Sequence, residues 1–207
     1  MRYCWLLIVA LGLWACDWSS YDQSQARLAY VITDEELFED DVRLSRSVDG
    51  YTYLDSVRYT GYLISYYPDA RLKSKKGYYD GKLEGDYITY YPSGEVYSQR
   101  PYHKGEKHGE HLGYFEDGGL KFQYQFVDGL GEGTHKEWYE SGEPKLEMNY
   151  VKGHELGAQK YWRPDGKLRS NYVVRENGRR YGMLGLKRCA KIDSETGDID
   201  PYKGTIQ

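Results

Sequence analysis

The chain has little with which to staple or thicken a core. Its three cysteines stand at 4, 16 and 189. The first two fall at the extreme N-terminus, so only Cys189 is left to the rest of the chain, which therefore has no internal disulfide. Phenylalanine numbers only 4, and long helix-forming runs are scarce. Positive charge is not in excess: the net charge is −4, so there is no basic footprint for nucleic acid. There is no H-E-x-x-H pair, no nucleophile elbow and no phosphate-cradling glycine loop. These absences leave no recognisable catalytic centre and no cofactor site.

What the chain has in quantity is tyrosine and glycine, 24 of each. That composition suits thin β structure better than a thick aliphatic core. Both residue types keep step. Gly61, Gly85, Gly109, Gly133 and Gly157 form one column, and Gly81, Gly105, Gly129 and Gly153 a second. A third is Gly94, Gly118, Gly142 and Gly166, with Ala70 in the first copy. Tyr66, Tyr90, Tyr114, Trp138 and Trp162 step by the same 24 residues. An adjoining column reads Tyr67, Tyr91, Phe115, Tyr139 and then Arg163. A last half-copy, Asn177-Gly178-Arg179-Arg180-Tyr181-Gly182, runs one residue late.

One unit can be read physically. In Tyr90-Tyr91-Pro92-Ser93-Gly94-Glu95-Val96, Pro92 suits the second position of a type I turn. Gly94 tolerates the left-handed residue that follows, giving a three-residue hairpin loop with a bulge. Tyr91 then pairs with Glu95, and Tyr90 with Val96. On the return strand Leu72, Val96, Leu120, Pro144 and Leu168 form an apolar column. Tyr78, Tyr102, Phe126, Tyr150 and Val174 form another six residues on, while Lys73, Lys121, Lys145 and Arg169 between them are polar. Alternation of that kind predicts one dry face. The pairing places the Tyr66–Trp162 column on it and the Tyr67–Tyr139 column on the wet one. Gly85, Gly94, Gly109, Gly118, Gly133, Gly142, Gly157 and Gly166 are the expected turn glycines, at positions that need positive φ.

The repeat "GKLEGDYITYYPSGEV" and its copies resemble the bacterial variant of the MORN repeat, and more narrowly the repeats of YwqK-family antitoxins. The resemblance spans Val57 to Gly182. It implies an all-β fold: an elongated single-layer antiparallel sheet of stacked β-hairpins. About ten strands at a spacing of roughly 4.8 Å would make it about 48 Å long. The implied roles are protein binding, toxin neutralisation and membrane association, with no catalytic residues. Residues 26–56 and 183–207 are the expected caps. Within the first, Thr33 and Glu36 match a capping box, which predicts a short helix near Asp34–Asp40. Asp49-Gly50 marks a hairpin turn.

The N-terminus has its own pattern. Arg2 precedes an apolar run from Cys4 to Ala15, too short to span a bilayer as a helix. The run ends in Leu13-Trp14-Ala15-Cys16, which resembles the lipobox of bacterial lipoproteins. That implies a signal peptide over residues 1–15, lipid on Cys16, a tether over residues 16–25 and a place in the bacterial cell envelope. An ordinary secretory signal is the alternative reading.

His103, His108 and His111 are close in sequence, but loop positions and strand alternation point to solvated side chains, with no metal site. Asp193 to Asp200 has no glycine or bidentate glutamate in the register of a calcium loop and reads as a polar tail. The expectation is thus a lipid-anchored, non-catalytic scaffold that binds a protein partner, a toxin being one candidate. Tyr90, Tyr114, Trp138 and Trp162 are the candidate contact residues. A cell-wall or carbohydrate module is the alternative. What covers the dry face (the termini, a second copy or the partner) is left open by the sequence.

Overall fold

The computed structural model describes residues 31–185. The signal, Cys16, the tether, Cys189 and the acidic tail lie outside them. The chain divides into two units, residues 1–31 and residues 32–207, and the strands among the described residues belong to the second.

Four short strands come first: β1 (Glu36–Phe38), β2 (Leu44–Arg46), β3 (Thr52–Leu54) and β4 (Val57–Arg58). The repeats open with β5 (Gly61–Tyr66) and β6 (Leu72–Tyr79), then β7 (Lys82–Tyr90) and β8 (Val96–His103). A two-residue β9 (Glu106–Lys107) precedes β10 (Gly109–Tyr114) and β11 (Leu120–Val127). The array continues with β12 (Leu130–Trp138), β13 (Pro144–Val151), β14 (His154–Trp162) and β15 (Leu168–Val174), and closes on β16 (Arg180–Met183). From β5 onward each strand pairs with its neighbour in the chain, β9 lying beside β8 off the main path. The fold is all-β, a long open sheet of stacked hairpins.

The N-terminal segment corrects one expectation. No helix forms among the described residues; Glu36–Phe38 is a strand that pairs parallel with β5, Leu37 opposite Leu63. The sheet is therefore mixed. Thr33 does not cap a helix: its Oγ1 donates to the Thr60 carbonyl at 2.9 Å. A free strand edge on β5 offered a complete set of hydrogen bonds, whereas a short isolated helix nucleates poorly.

Every hairpin loop has the same geometry. Tyr91 N–H donates to Glu95 O at 2.8 Å and Gly94 N–H to Tyr91 O at 2.9 Å. The same two bonds recur at Tyr67/Arg71, Phe115/Gly119, Tyr139/Glu143 and Arg163/Lys167. Between hairpins the turn is a different one. Asp80 and Gly81, Lys104 and Gly105, Asp128 and Gly129, and Lys152 and Gly153 all have positive φ, the signature of a two-residue type I′ turn. These turns stack on one another. Gly105 N–H reaches Leu83 O, Gly129 reaches Lys107 O and Gly153 reaches Gly131 O, each at 2.8 Å.

Two register shifts recur, and the one beside each loop decides which side chains share a face. Thr89 pairs with Ser98 but Tyr90 with Val96, so one step on β7 matches two on β8. This bulge recurs in each full repeat. It reverses the alternation beside every loop. The expected facing is corrected accordingly. Tyr66, Tyr90, Tyr114, Trp138 and Trp162, with Leu72 to Leu168 opposite them, lie on the face away from Tyr78, Tyr102, Phe126, Tyr150 and Val174. The Tyr67–Tyr139 column lies on the latter, the core face. Contacts agree: Tyr66 packs its ring 5.9 Å from Phe38, beside Ile64. The bulged Lys145 turns to the core face and pairs with Glu137 at 2.7 Å.

The N-terminal three-stranded sheet, β2 to β4, provides cover at one end. Leu44 and Leu54, with Leu37 and Leu83, pack against the buried cluster of Tyr59, Leu63 and Tyr78. Asp49 and Gly50 sit in its β2–β3 turn, Gly50 with φ of 83°.

Candidate functional site

The core face is built from rows that cross the sheet. One row runs Tyr87, Arg100, His111, Tyr124, His135, Met148, Gln159, Tyr172 through directly paired or adjacent strands. His111, His135 and Gln159 stand 24 residues apart and are all buried, Gln159 completely. They sit where the second register shift occurs. Met148 pairs with Gln159 but Tyr150 with Glu155, so two steps on β13 match four on β14. The buried side chain bridges this bulge. His111 Nε2 donates to Pro101 O at 2.9 Å, and His135 Nε2 to Gln125 O at 2.8 Å. Gln159 does more: its Nε2 donates to Asn149 O at 2.9 Å and its Oε1 accepts from Asn149 N–H at 3.0 Å. Proline at 101 has no N–H to satisfy, so an imidazole is sufficient there.

This placement corrects the expectation that His111 faces water. The loop bulge is the reason: it puts Tyr114 on the outer face, and so His111, three residues earlier on the same strand, on the core face. Burial holds the His111 imidazole below the usual histidine range, with Lys107 and Arg100 adding to the effect and the Pro101 bond opposing it. Burial does the same to His135, again against its carbonyl bond. Both are neutral donors at neutral pH. Their rings join a continuous aromatic line: Tyr102 to His111 at 5.6 Å, His111 to Phe126 at 4.7 Å, Phe126 to His135 at 5.3 Å and His135 to Tyr150 at 4.6 Å.

The Tyr67–Tyr139 column staples consecutive repeats. Tyr67 Oη donates to Tyr90 O at 2.8 Å, Tyr91 to Tyr114 O at 3.0 Å and Tyr139 to Trp162 O at 2.8 Å. Phe115 has no hydroxyl with which to make the equivalent bond.

The other face carries the predicted contact residues. Tyr90, Tyr114, Trp138 and Trp162 line up at the loop end of four consecutive hairpins, all half-buried. Each has an aliphatic cross-strand partner: Val96, Leu120, Pro144 and Leu168 in turn. Tyr66 begins the column, 43% exposed, and Leu168 ends it at 40%. Toward the inter-repeat turns the same face becomes polar, with Asp86 bonded to Gln99, Glu110 to Gln123 and Thr134 to Asn149. The column is thus a narrow apolar stripe beside a hydrophilic field. All eight predicted turn glycines have positive φ, between 67° and 97°.

The other histidines hold no metal arrangement. His103 Nδ1 lies 2.9 Å from Glu84 and His108 Nδ1 3.3 Å from Asp128. Among the described residues no three ligating side chains converge, and no helix long and apolar enough to cross a membrane occurs.

Sequence reasoning missed the His111–His135–Gln159 column, although its spacing was visible. The shared property is a side-chain N–H donor, which two residue types disguise. No curated protein matches the chain. Residues 83–104, 107–128 and 131–152 match the family described as MORN repeat variant, each segment running from an outgoing strand to the first residue of the next type I′ turn. Three consecutive repeats in the middle of the sheet are thus similar to the MORN repeat variant.

Proposed function

We propose that this chain is a non-catalytic repeat scaffold that binds a protein partner through the Tyr90–Trp162 column, while lipid on Cys16 holds it at a bacterial envelope membrane. The observation that carries the reading is the stripe itself: four aromatics in register on one face, each beside an aliphatic neighbour. Tyrosine and tryptophan give large rigid contact area at small entropic cost, which is why they dominate binding hot spots. Repeats of this family generally serve in protein and membrane binding. A toxin is the partner class that the antitoxin resemblance suggests.

The test uses whole cells and crosslinking in the membrane fraction. Wild type is expected to give a crosslinked species of defined mass that Trp138→Ala with Trp162→Ala loses, with an unchanged far-UV spectrum. Crosslinking by the double variant at the wild-type level would show that the column is not the contact. Cys16→Ala tests the anchor separately, since one lipid chain alone binds only marginally and stable anchoring needs more. The variant should stay unprocessed or leave the membrane fraction; normal processing and fractionation would refute lipidation.

A further inference from the structure

The core face is not filled evenly. A single row crosses the first hairpins as Ser65, Ser74, Thr89 and Ser98, each paired with the next. Ser65 and Ser74 hydroxyls lie 2.7 Å apart, as do those of Thr89 and Ser98. The same row then continues into Gly113 and Phe122. There the Phe122 ring lies over the glycine, so closely that a Cβ on Gly113 would be 2.0 Å from it. Glu137 and Leu146 follow. Large side chains thus fill the third and fourth repeats, and small hydroxyls leave the first two open.

The opening is a cleft of about 630 Å³, within the range of small-molecule sites. Its floor is the hydroxyl row, in which Ser74 and Ser98 are buried and Ser65 and Thr89 partly exposed. Tyr67, Tyr91 and Tyr97 stand along its walls, Tyr91 edge-on to Tyr97 at 5.1 Å. Three cations line it, Lys73, Lys76 and Arg100, against one acid, Glu39, which is bonded to Lys76. Neither Lys73 nor Arg100 forms an ion pair with a described residue; each lies over a ring, Tyr67 at 5.9 Å and Phe122 at 5.6 Å. In a chain of net charge −4 this cleft is locally positive.

We propose that the cleft binds an acidic saccharide, its sugar ring against the tyrosine walls and its carboxylate taken by Lys73 and Arg100. Three features select that class together. Flat aromatic faces accept the C–H side of a sugar ring. The partly exposed hydroxyls of Ser65 and Thr89 and the phenol of Tyr97 can exchange hydrogen bonds with sugar hydroxyls. The two cations without carboxylate partners supply charge-assisted pairing. An inorganic anion would use the cations and leave the walls unused. The rest of the aromatic column lies on the opposite face; Tyr90 alone borders the cleft.

Calorimetric titration of the full chain tests this with digalacturonic acid, its uncharged counterpart galactobiose, and inorganic phosphate. Digalacturonic acid should bind saturably, with galactobiose about tenfold weaker or worse. Thr89→Gly with Ser98→Phe transplants the Gly113/Phe122 plug that the third repeat already accommodates, and should abolish the heat while the protein still melts cooperatively. Lys73→Gln with Arg100→Gln leaves the trough open and should remove the preference for the acidic sugar. Absence of binding by digalacturonic acid, equal affinity for the neutral sugar, or undiminished binding in the plugged variant would each overturn the proposal. Competition by phosphate at the same concentration as the disaccharide would also overturn it, reducing the cleft to simple anion binding.

Discussion

Single residues break the periodicity in ways that make its energetics measurable. Phe115 interrupts the tyrosines that bond one repeat to the next. Phe115→Tyr should restore that bond, to the Trp138 carbonyl, and stabilise the protein by about 0.5–1.5 kcal/mol in urea unfolding. Ala70 occupies the loop position held by glycine elsewhere, with φ of 64°. Ala70→Gly should remove left-handed strain and raise stability by about 1 kcal/mol, less the entropy a glycine adds to the unfolded chain. His111 and His135 make stability depend on pH. Their folded-state values are lowered, chiefly by burial, so protons bind the unfolded chain better. Their contribution is complete above the ordinary histidine value of about 6.5 and fades as pH falls through the lowered values. His111→Gln with His135→Gln, copying Gln159, should flatten the urea midpoint between about pH 7 and pH 5. A midpoint that falls as steeply as wild type would assign the acid sensitivity to other groups. None of this was readable from composition, because a hydroxyl, an imidazole and an amide become equivalent only once their carbonyl partners are known.

At the level of elements, hairpins were legible and facing was not. Pro92-Ser93-Gly94 and its copies name their turn, and Tyr90 does pair with Val96. Asp80-Gly81 and Lys104-Gly105 encode the second turn through paired positive φ. A bulge, however, adds one residue that does not announce itself: Lys73, Lys121, Lys145 and Arg169 are cationic at the extra position and Tyr97 is not, and a cation also reads as an ordinary outward strand position. Parity counted along the return strand therefore crosses the bulge and comes out reversed. The first strand was missed because its partner β5 is distant in sequence and parallel, while a local capping pattern competed for the same residues. The glycine columns give a sharp test. Gly109 has φ of 78°, and a Cβ there would lie 3.3 Å from the Pro101 ring. Gly109→Val should cost about 1–3 kcal/mol. Gly109→Asn places an atom at the same spot but tolerates the left-handed backbone, and should cost markedly less. Equal losses would mean that crowding, and not φ, fixes the glycine.

Across the whole molecule, stability is shared between neighbours, as in other quasi-linear arrays. Deleting residues 107–130 brings Gly131 into the place of Lys107 and preserves every 24-residue relation. That shortened chain should fold, with a proportionately smaller urea slope, whereas removing 23 residues from the same start should not. The last connection behaves differently. After β15 the two-residue turn is replaced by a three-residue loop, Arg175 N–H bonding Arg179 O at 3.0 Å, with Gly178 at φ of 75°. This is why the final glycine runs one residue late. The change has a genealogical meaning. A duplicated 24-residue unit inserted between Gly61 and Trp162 meets matching turns, staples and bridges on both sides, so such a gene could lengthen by unequal crossing-over within that stretch at little structural risk. A unit added beyond Arg175 would arrive out of phase with everything before it. The odd loop therefore confines heritable growth of the array to its interior.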